Sequence, residues 1–384
     1  MDIIYTARHL QHDPASIVIK EHPYESAEVP ARVENIRAAV EAARLGSFSA
    51  PIDHGLEPIL AVHDAGFVAF LQKAFERVSA YHGTPTPALP DTFATRLPAP
   101  RVTRGVWGQL GYYSFGIGSP IMAHTWEAAY WAAQCALTAA DGLALTPGPS
   151  PVPPARETGV GGGGRGVRAT YALCRPPGHH AARDLYGGFC YLNNAAIAAR
   201  YLQGSPLPVG EGSGVRGNVL EFMGEGNKIA LLDFDYHHGN GTQAIFYDDP
   251  SVLFCSLHAD PEDEYPYFWG YADQRGEGAG EGFNRNFPLP LGTPDGPYLE
   301  TLEEALEAIR EFDPRCLVVS AGFDIFTGDP VGGFNVTTDG IAQVGRAIAA
   351  LGLPTVIVQE GGYLLERLGE NAVAFLEAFE AVSR

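Results

Sequence analysis

Five short, continuously apolar runs rich in β-branched residues most constrain how this chain can fold. The clearest is "KIALLDFD" at 228–235, which carries no alternation of polar and apolar residues before Asp233. The other four runs lie at 170–174, 251–258, 316–324 and 354–362. Strands of this kind are typical of a parallel sheet that is buried on both faces.

Helical patterns lie between and beside these runs, at 193–203, 298–312 and 337–351. The last two begin near Pro/Asp or Thr/Asp pairs of the sort that start helices. Alternation of strands and helices predicts an α/β fold, with a mostly parallel sheet and helices on both of its faces. The 384 residues are compatible with one large domain spanning 1–384.

Two segments, 146–168 and 204–227, are rich in proline and glycine and contain little that could pack. We expect them to be surface insertions, loosely ordered, within one domain. A domain boundary at the first insertion is less consistent with the sequence, because the polar clusters described below draw on strands beyond both insertions.

Charge indicates which ligands the protein could attract, and cysteine content indicates its compartment. The formal net charge is 25 − 45 = −20, which argues against nucleic acids and anionic membranes and favours cationic ligands such as amines or basic peptides. Plain solubility explains the same acidity equally well. Five scattered cysteines, an odd number, predict reduced thiols in a cytoplasmic protein rather than a disulfide framework.

Neither a signal peptide nor a membrane span is expected. The start "MDIIYTARHL" lacks a basic segment followed by an apolar one. The most apolar long window, 126–145, contains Glu127, Gln134 and Asp141, which predicts a buried or amphipathic helix.

Polar clusters follow four of the predicted strands: "RPPGHH", "DFDYHHGNG", "GFD" and "EGGY". Ligands of open α/β sheets bind beyond the carboxyl ends of the strands. We therefore expect the four clusters to meet in one pocket.

Three residues of these clusters could hold a divalent metal ion. Asp235 and His237 are two residues apart, so on an extended segment their side chains point the same way. With Asp324 they offer two carboxylates and an imidazole, a set that leaves a coordination position open for water. A loop ion pair would explain the Asp-x-His motif alone, but not four coincident clusters.

The remaining polar residues suggest acid–base chemistry. His179 and His180 beside a metal could take a proton from water and return it to a leaving amine, with Asp233 and Asn240 as candidates for setting their tautomers. Tyr363 could donate a hydrogen bond to a polarised carbonyl. A simple turn explains "EGGY" if that motif is taken by itself.

Six motifs in this order, "RPPGHHA", "GFCYLNNAAIAA", "DFDYHHGNGTQAIFY", "SLHADP", "SAGFD" and "QEGGY", resemble the zinc-dependent histone deacetylase family. "GQLGYY", "TWEAA" and "PLPLGTP" resemble its bacterial acetylpolyamine amidohydrolase branch. The resemblance covers nearly the whole chain apart from the two insertions. It implies an arginase/deacetylase fold and a substrate that is a small cationic acylated amine or an acyl-lysine.

The resemblance also implies roles for individual residues. Asp235, His237 and Asp324 would be the ligands of one zinc ion. His180 would be the general base and acid, His179 its electrostatic partner and Tyr363 the group that polarises the carbonyl. Asp233 would pair with His179 and Asn240 with His180. Gly188 and Phe189 would line the substrate tunnel, and Arg32 would lie near an inner acetate pocket.

A structural potassium ion is a further implication of the resemblance. The matching positions are Asp233, Asp235, His237, Ser256 and Leu257.

The chain departs from the polyamine-specific pattern at positions where relatives carry acidic residues. Trp107, Gly118 and Val331 stand there instead. Unless a carboxylate at 262–264 takes over, we expect acetyl-lysine-type and acetylpolyamine substrates to differ in kcat/KM by less than about tenfold. Polyamine-type relatives dimerise through the loop matching 84–120, so a homodimer is expected here, although "VWGQLGYYSF" suits ordinary core equally.

Two alternatives remain at the level of sequence. One is an arginase-like ureohydrolase with two metal ions, for which "GFDIFTGDP" offers Asp324 and Asp329. The other is a catalytically silent sensor of acyl ligands. The tandem histidines and Tyr363 favour the amidohydrolase over both.

Overall fold

A computed structural model describes residues 1–16, 18–19, 22–23, 26–94, 100–144, 169–204 and 227–383. Both predicted insertions fall almost wholly outside the described residues. The β-strands are β1 Asp2–Ile4, β2 Val18–Ile19, β3 His22–Pro23, β4 Ser47–Ser49, β5 Ala169–Ala172, β6 Ile229–Asp233, β7 Val252–Ala259, β8 Asn284–Leu289, β9 Cys316–Ala321 and β10 Thr355–Gln359.

Helices account for much of the rest of the described chain. The α-helices are α1 Ala31–Ala43, α2 Glu57–Leu60, α3 Ala65–His82, α4 Val106–Tyr113, α5 Thr125–Ala144, α6 Asn194–Gly204, α7 Asn240–Phe246, α8 Asp295–Phe312, α9 Thr338–Ala349 and α10 Leu365–Ser383. Short 3-10 helices are formed by Ala7–Gln11, Pro14–Ser16 and Gly278–Gly280.

Eight strands form one sheet in the order β4-β1-β5-β10-β9-β6-β7-β8, and all of its pairings are parallel. β2 and β3 form a separate antiparallel pair. The five predicted strands are β5, β10, β9, β6 and β7, which lie side by side in the middle of the sheet. The predicted α/β architecture is confirmed.

Side chains of the central strands alternate between two hydrophobic cores. Leu231 packs into the core that contains residues of α3 to α6, whereas Leu232 packs into the core that contains residues of α1, α8, α9 and α10. Val318 and Val319 of β9 divide in the same way. Helices therefore cover both faces, which explains why these strands carry continuous apolar runs.

Three strands of the sheet were not predicted: β1, β4 and β8. β1 and β4 have three residues each, too few to show a period. β8 is an edge strand with the polar sequence "NRNFPL". Pro288 is tolerated there because an edge strand lacks one hydrogen-bonded neighbour.

The long apolar window forms α5, whose alanines pack into the core with those of α6. No helix within the described ranges combines the length and hydropathy that crossing a bilayer requires. α4 covers most of the aromatic "VWGQLGYYSF" segment and buries Val106, Leu110 and Tyr113, so part of that segment is ordinary core.

Candidate active site

The loops that follow β5, β6, β9 and β10 meet at one edge of the sheet. The strands themselves are neighbours in the order β5-β10-β9-β6, with all carboxyl ends on the same side. The four polar clusters thus lie together, as the strand-end argument predicted.

Asp235, His237 and Asp324 form a buried group whose potential ligand atoms all lie within 4.8 Å of one another. The Nδ1 atom of His237 is 3.2 Å from Asp235 Oδ1 and 3.2 Å from Asp324 Oδ2. Ligands about 2.0–2.1 Å from a tetrahedral zinc ion lie about 3.4 Å apart. The donor set and its spacing therefore fit one zinc ion with an open position.

Charge within this group also favours a cation. Burial and the nearby Asp235 carboxylate raise the pKa of Asp324 to about 7. Burial lowers the pKa of His237, but hydrogen bonds to Asp235 and Asp324 outweigh it and bring that pKa to about 10. Two buried carboxylates thus need a positive charge, which either a proton on His237 or a divalent ion can supply.

Two glycines allow the backbone to approach these carboxylates closely. A Cβ atom on Gly361 would lie 2.2 Å from Asp324 Oδ2, and one on Gly322 would lie 2.1 Å from Asp235 Oδ2. The Gly361 amide uses this approach to donate a 2.8 Å hydrogen bond to Asp235 Oδ2. The glycines of "GFD" and "EGG" therefore let the backbone lie against the Asp235 and Asp324 carboxylates.

The tandem histidines each have a distinct partner at Nδ1. His179 lies 3.0 Å from Asp233 Oδ2, and His180 lies 2.7 Å from Asn240 Oδ1. Both pairs agree with the roles that the family resemblance implied. Because the Asn240 oxygen can only accept, Nδ1 of His180 carries a proton and the lone pair of a neutral ring is on Nε2.

The surroundings of the two histidines shift their pKa values in opposite directions. Burial lowers the pKa of His179, but Asp235 and Asp233 more than compensate and bring it to about 10. Burial and the positive charges of His179 and His237 lower the pKa of His180 well below its ordinary value. The protonated form is thus favoured for His179 and the neutral form for His180, whose Nε2 lone pair can then accept a proton.

Glu360 braces the turn that carries the histidine pair, a role that sequence reasoning missed. Its Oε2 atom accepts hydrogen bonds from the backbone amides of Gly178 (2.6 Å) and His179 (3.2 Å). Burial raises the pKa of Glu360 to about 7. The residue lies within the "QEGGY" motif, so its position was visible, but its contact with a loop about 180 residues away was not.

Tyr363 is held from two sides. Asp329 Oδ2 accepts hydrogen bonds from the backbone amides of Tyr363 (2.6 Å) and Leu364 (2.9 Å). The buried Arg32 guanidinium lies 4.3 Å from the centre of the Tyr363 ring and donates a 2.6 Å hydrogen bond to the Gly362 carbonyl oxygen. Burial raises the pKa of Tyr363 well above its ordinary value, so the phenol keeps its proton.

A cavity of about 320 Å³ opens over this group. His180, His237 and Tyr363 form part of its lining. The other lining residues are Gly116, Ile117, Gly118, Gly188, Phe189, Glu264, Tyr265 and Val331. Two imidazoles and a phenol thus face one space that a small ligand could enter.

Gly188 and Phe189, the two residues expected to bind substrate, line the cavity. Gly188 has φ = +56°, and a Cβ there would lie 2.3 Å from His180 Cδ2. The Phe189 amide donates a 2.8 Å hydrogen bond to Ser119 Oγ, and its ring centre is 5.8 Å from that of Tyr363. The wall is therefore firmly placed against the phenol.

Tyr265 is a second aromatic wall residue that sequence reasoning missed. Its ring centre lies 5.1 Å from that of His180 and 6.0 Å from that of His237. The sequence feature that could have pointed to Tyr265 is the aromatic "EYPYFWG" stretch after "SLHADP". Nothing local in that stretch shows which of its rings faces the site.

The three departures from the polyamine-type pattern fall in different places. Gly118 and Val331 line the cavity, whereas Trp107 is not among its lining residues. Trp107 instead packs against Tyr81 and His82, with ring centres 5.6 and 5.7 Å apart.

The geometry gives little support to the arginase-like alternative, which needs two metal ions side by side. Asp329, the additional carboxylate that such a site would need, accepts hydrogen bonds from the amides of Val331, Tyr363 and Leu364. The other metal-capable group within the described residues is His179, Cys190 and Glu360. Burial raises the pKa of the Cys190 thiol well above its ordinary value, and Glu360 already accepts two amides.

The predicted potassium positions lie on adjacent strands. Asp233 of β6 is in register with Ser256 of β7, and Leu257 follows in the same strand. Asp235 and His237 come just after β6. The register places the Asp233 carboxylate beside the Ser256 position, and oxygen ligands of this kind are those that hard cations prefer.

Known proteins resemble this chain along almost its entire length. The family model for the histone deacetylase domain matches residues 26–379. Acetylpolyamine amidohydrolase 1 of Pseudomonas aeruginosa is 39% identical over 388 residues, covering 99% of both chains. Acetylpolyamine amidohydrolase of Mycoplana ramosa is 40% identical over 352 residues, covering 91% of both.

Among solved structures, the acetylpolyamine aminohydrolase of Burkholderia pseudomallei superposes with a TM-score of 0.83 at 38% identity. The match covers 100% of this chain and 99% of that one. The predicted arginase/deacetylase fold is confirmed by this similarity.

Proposed function

The chain belongs to the histone deacetylase family, and from that premise we propose that it is a zinc-dependent amidohydrolase. It removes acetyl or other acyl groups from the primary-amine nitrogens of polyamines or lysine-like substrates. The observation that carries this proposal is the buried group of Asp235, His237 and Asp324 beside a cavity that His180 and Tyr363 also line.

Asp235, His237 and Asp324 would hold the zinc ion through two carboxylate oxygens and one imidazole nitrogen. When bound, zinc supplies Lewis-acid polarisation of a carbonyl and lowers the pKa of water to near neutrality. The backbone amides of Gly361 and Tyr236 donate to Asp235 Oδ2 (2.8 Å) and Asp324 Oδ1 (3.0 Å), which orients these carboxylates.

His180 acts as the proton carrier. Its neutral Nε2 takes a proton from the attacking water as the oxygen bonds to the amide carbon. When the carbon–nitrogen bond breaks, the same proton passes to the leaving amine. The products are the amine and the carboxylic acid, which then exchange a proton to give ammonium and carboxylate. His179 stays charged through Asp233 and stabilises the negative charge that develops nearby.

Tyr363 supplies the oxyanion contact. Its protonated hydroxyl donates a hydrogen bond to the carbonyl oxygen as negative charge builds there. Arg32 and Asp329 hold the ring and the backbone of Tyr363, so this donor is placed before the substrate arrives. Phe189 and Tyr265 provide apolar surface for the alkyl chain of the amine.

The proposal extends to compartment, potassium and oligomeric state. All five cysteines are free and buried, which supports a reducing compartment such as the cytoplasm. We propose that a potassium ion binds at the positions Asp233, Asp235, His237, Ser256 and Leu257, because the strands that carry Asp233 and Ser256 are in register. We also propose a homodimer through 84–120, a segment in which Ile117 is 64% exposed at the mouth of the cavity.

Turnover with and without metal tests the proposed activity. Purified protein with zinc should hydrolyse a fluorogenic acetyl-lysine amide and a monoacetylated diamine. A chelator should abolish both activities, and added zinc should restore them. Turnover that survives complete metal removal would contradict a zinc mechanism, whereas metal binding without any turnover would favour an acyl-ligand sensor.

A further inference from the structure

Glu264 is the one carboxylate among the described residues that line the cavity. The sequence offers three adjacent acidic residues, Glu262, Asp263 and Glu264. In the structure Glu262 and Asp263 are exposed, whereas Glu264 is half-buried in the cavity wall beside Tyr265. One of the three is therefore set apart by its position.

Neutral donors hold the Glu264 carboxylate. Tyr236 Oη donates a 3.1 Å hydrogen bond to Oε2, and the Tyr265 backbone amide donates a 3.0 Å hydrogen bond to Oε1. Among the described residues, no lysine, arginine or histidine forms an ion pair with Glu264. The side chain is oriented, but its carboxylate has no ion-pair partner within the described ranges.

The hydrogen bond from Tyr236 links Glu264 to the segment that carries Asp235 and His237. Tyr236 lies between Asp235 and His237, and its backbone amide donates to Asp324 Oδ1 at 3.0 Å while its hydroxyl holds Glu264. The same residue thus fixes the carboxylate relative to the point of hydrolysis. An acylated amine could place its acyl end at the proposed metal site and its other end at Glu264. The protein would then bind both ends of the substrate.

We propose that Glu264 is a specificity-determining residue that binds the free ammonium group of an acylated diamine and so favours cationic over neutral amides. The inference rests on the amidohydrolase activity proposed above. A desolvated ammonium loses hydration on entering a cavity, and an oriented carboxylate replaces part of it with a charge-assisted hydrogen bond. Gly118 and Val331, which also line the cavity, cannot provide this contact.

The test compares kcat/KM for N-(4-aminobutyl)acetamide with that for N-pentylacetamide, its neutral isostere, in zinc-loaded protein. The wild-type ratio should exceed one, and Glu264→Gln should lower the ratio about tenfold, equivalent to about 1.4 kcal/mol. The change should lie mostly in KM for the cationic amide, because a remote contact is made equally in the ground and transition states. Glu264→Asp, which keeps the charge, should retain a higher ratio than Glu264→Gln.

Glu262→Gln and Asp263→Asn are matched controls, because both remove a charge from the same loop outside the cavity. Each should keep the wild-type ratio to within about twofold. An unchanged ratio in Glu264→Gln, or an equal fall in the controls, would overturn the inference while leaving the amidohydrolase intact. Failure of wild-type protein to hydrolyse either amide would overturn the proposed function as well.

Discussion

Asp324 is the ligand that ties the proposed metal site to a second strand end, since Asp235 and His237 both follow β6 whereas Asp324 follows β9. Asp324→Ala should abolish both stoichiometric zinc and amide hydrolysis. Two ligands would remain, and a structural or catalytic zinc ion normally needs at least three from the protein.

Elemental analysis of the purified variant checks this, with Asp273→Ala, an exposed aspartate, as the matched control. The control should bind zinc as the wild type does. Full, tight zinc in Asp324→Ala would show that the ion is held elsewhere.

Substitution of Tyr363 should distinguish metal binding from catalysis. Tyr363→Phe should keep zinc and reduce kcat by about 10²–10³-fold, because it removes one oxyanion donor and leaves the ring in place. Steady-state kinetics on an acetyl amide together with metal analysis provide the measurement. Tyr267→Phe, at an exposed tyrosine, should have no such effect; near-wild-type turnover in Tyr363→Phe would mean that another group polarises the carbonyl.

Val331 offers a gain-of-function test of cavity charge. Val331 lines the cavity, so Val331→Glu would add a carboxylate to a wall that now has only Glu264 among its described residues. We expect the ratio of kcat/KM for acetylated diamine over acetyl-lysine peptide to rise by about tenfold or less. Val331→Gln, the neutral isostere of the glutamate variant, controls for shape and polarity without charge, and an equal rise in both variants would argue against a charge effect.

At the scale of elements, the first proline- and glycine-rich segment, 146–168, can be tested as an insertion within one domain. α5 ends at Ala144 and β5 begins at Ala169, and Thr170 Oγ1 donates to the Ala139 carbonyl oxygen at 2.9 Å. This contact joins the two elements without the segment between them. The composition of 146–168 lacks apolar periodicity.

Deleting 148–164 should therefore change Tm by less than about 4 °C and leave kcat/KM nearly unaltered. Thermal unfolding and turnover of the deleted protein provide the measurement. A large loss of Tm would show that this segment packs against the domain.

Whether a strand could be predicted depended on the length of its buried apolar run. β6 has five buried residues in a row, and its apolar run was visible in the sequence. β1 and β4 also belong to the sheet, but with three residues each they are stabilised by pairing with neighbours and not by a pattern of their own. Local sequence carries no record of such pairing.

At the scale of the whole molecule, a net charge of −20 should create a field that attracts cations. We expect kcat/KM for a cationic amide to fall as ionic strength rises, and kcat/KM for a neutral amide to change far less, because salt screens charges beyond about 8–10 Å. Kinetics over a series of salt concentrations test this. Equal salt dependence for both amides would argue against electrostatic attraction of the substrate.

The sequence by itself determined the five central strands, the helices at 193–203, 298–312 and 337–351, and most of the polar residues that the structure brings together at the strand ends. It could do so because burial on both faces demands continuous apolar runs, and because metal and proton chemistry demand particular side chains at strand ends. The pairing of His179 with Asp233 and of His180 with Asn240 followed only from the family resemblance, and the structure now places both pairs within hydrogen-bond distance.

Only the tertiary structure decided which residues of the flanking loops reach the site. Glu360 braces the histidine turn, Tyr265 faces His180, and Glu264 enters the cavity while Glu262 and Asp263 stay outside it. These positions depend on contacts between segments far apart in the chain, such as the hydrogen bond from Tyr236 to Glu264. Adjacent residues of the same type look alike in sequence, and only packing gives them different surroundings.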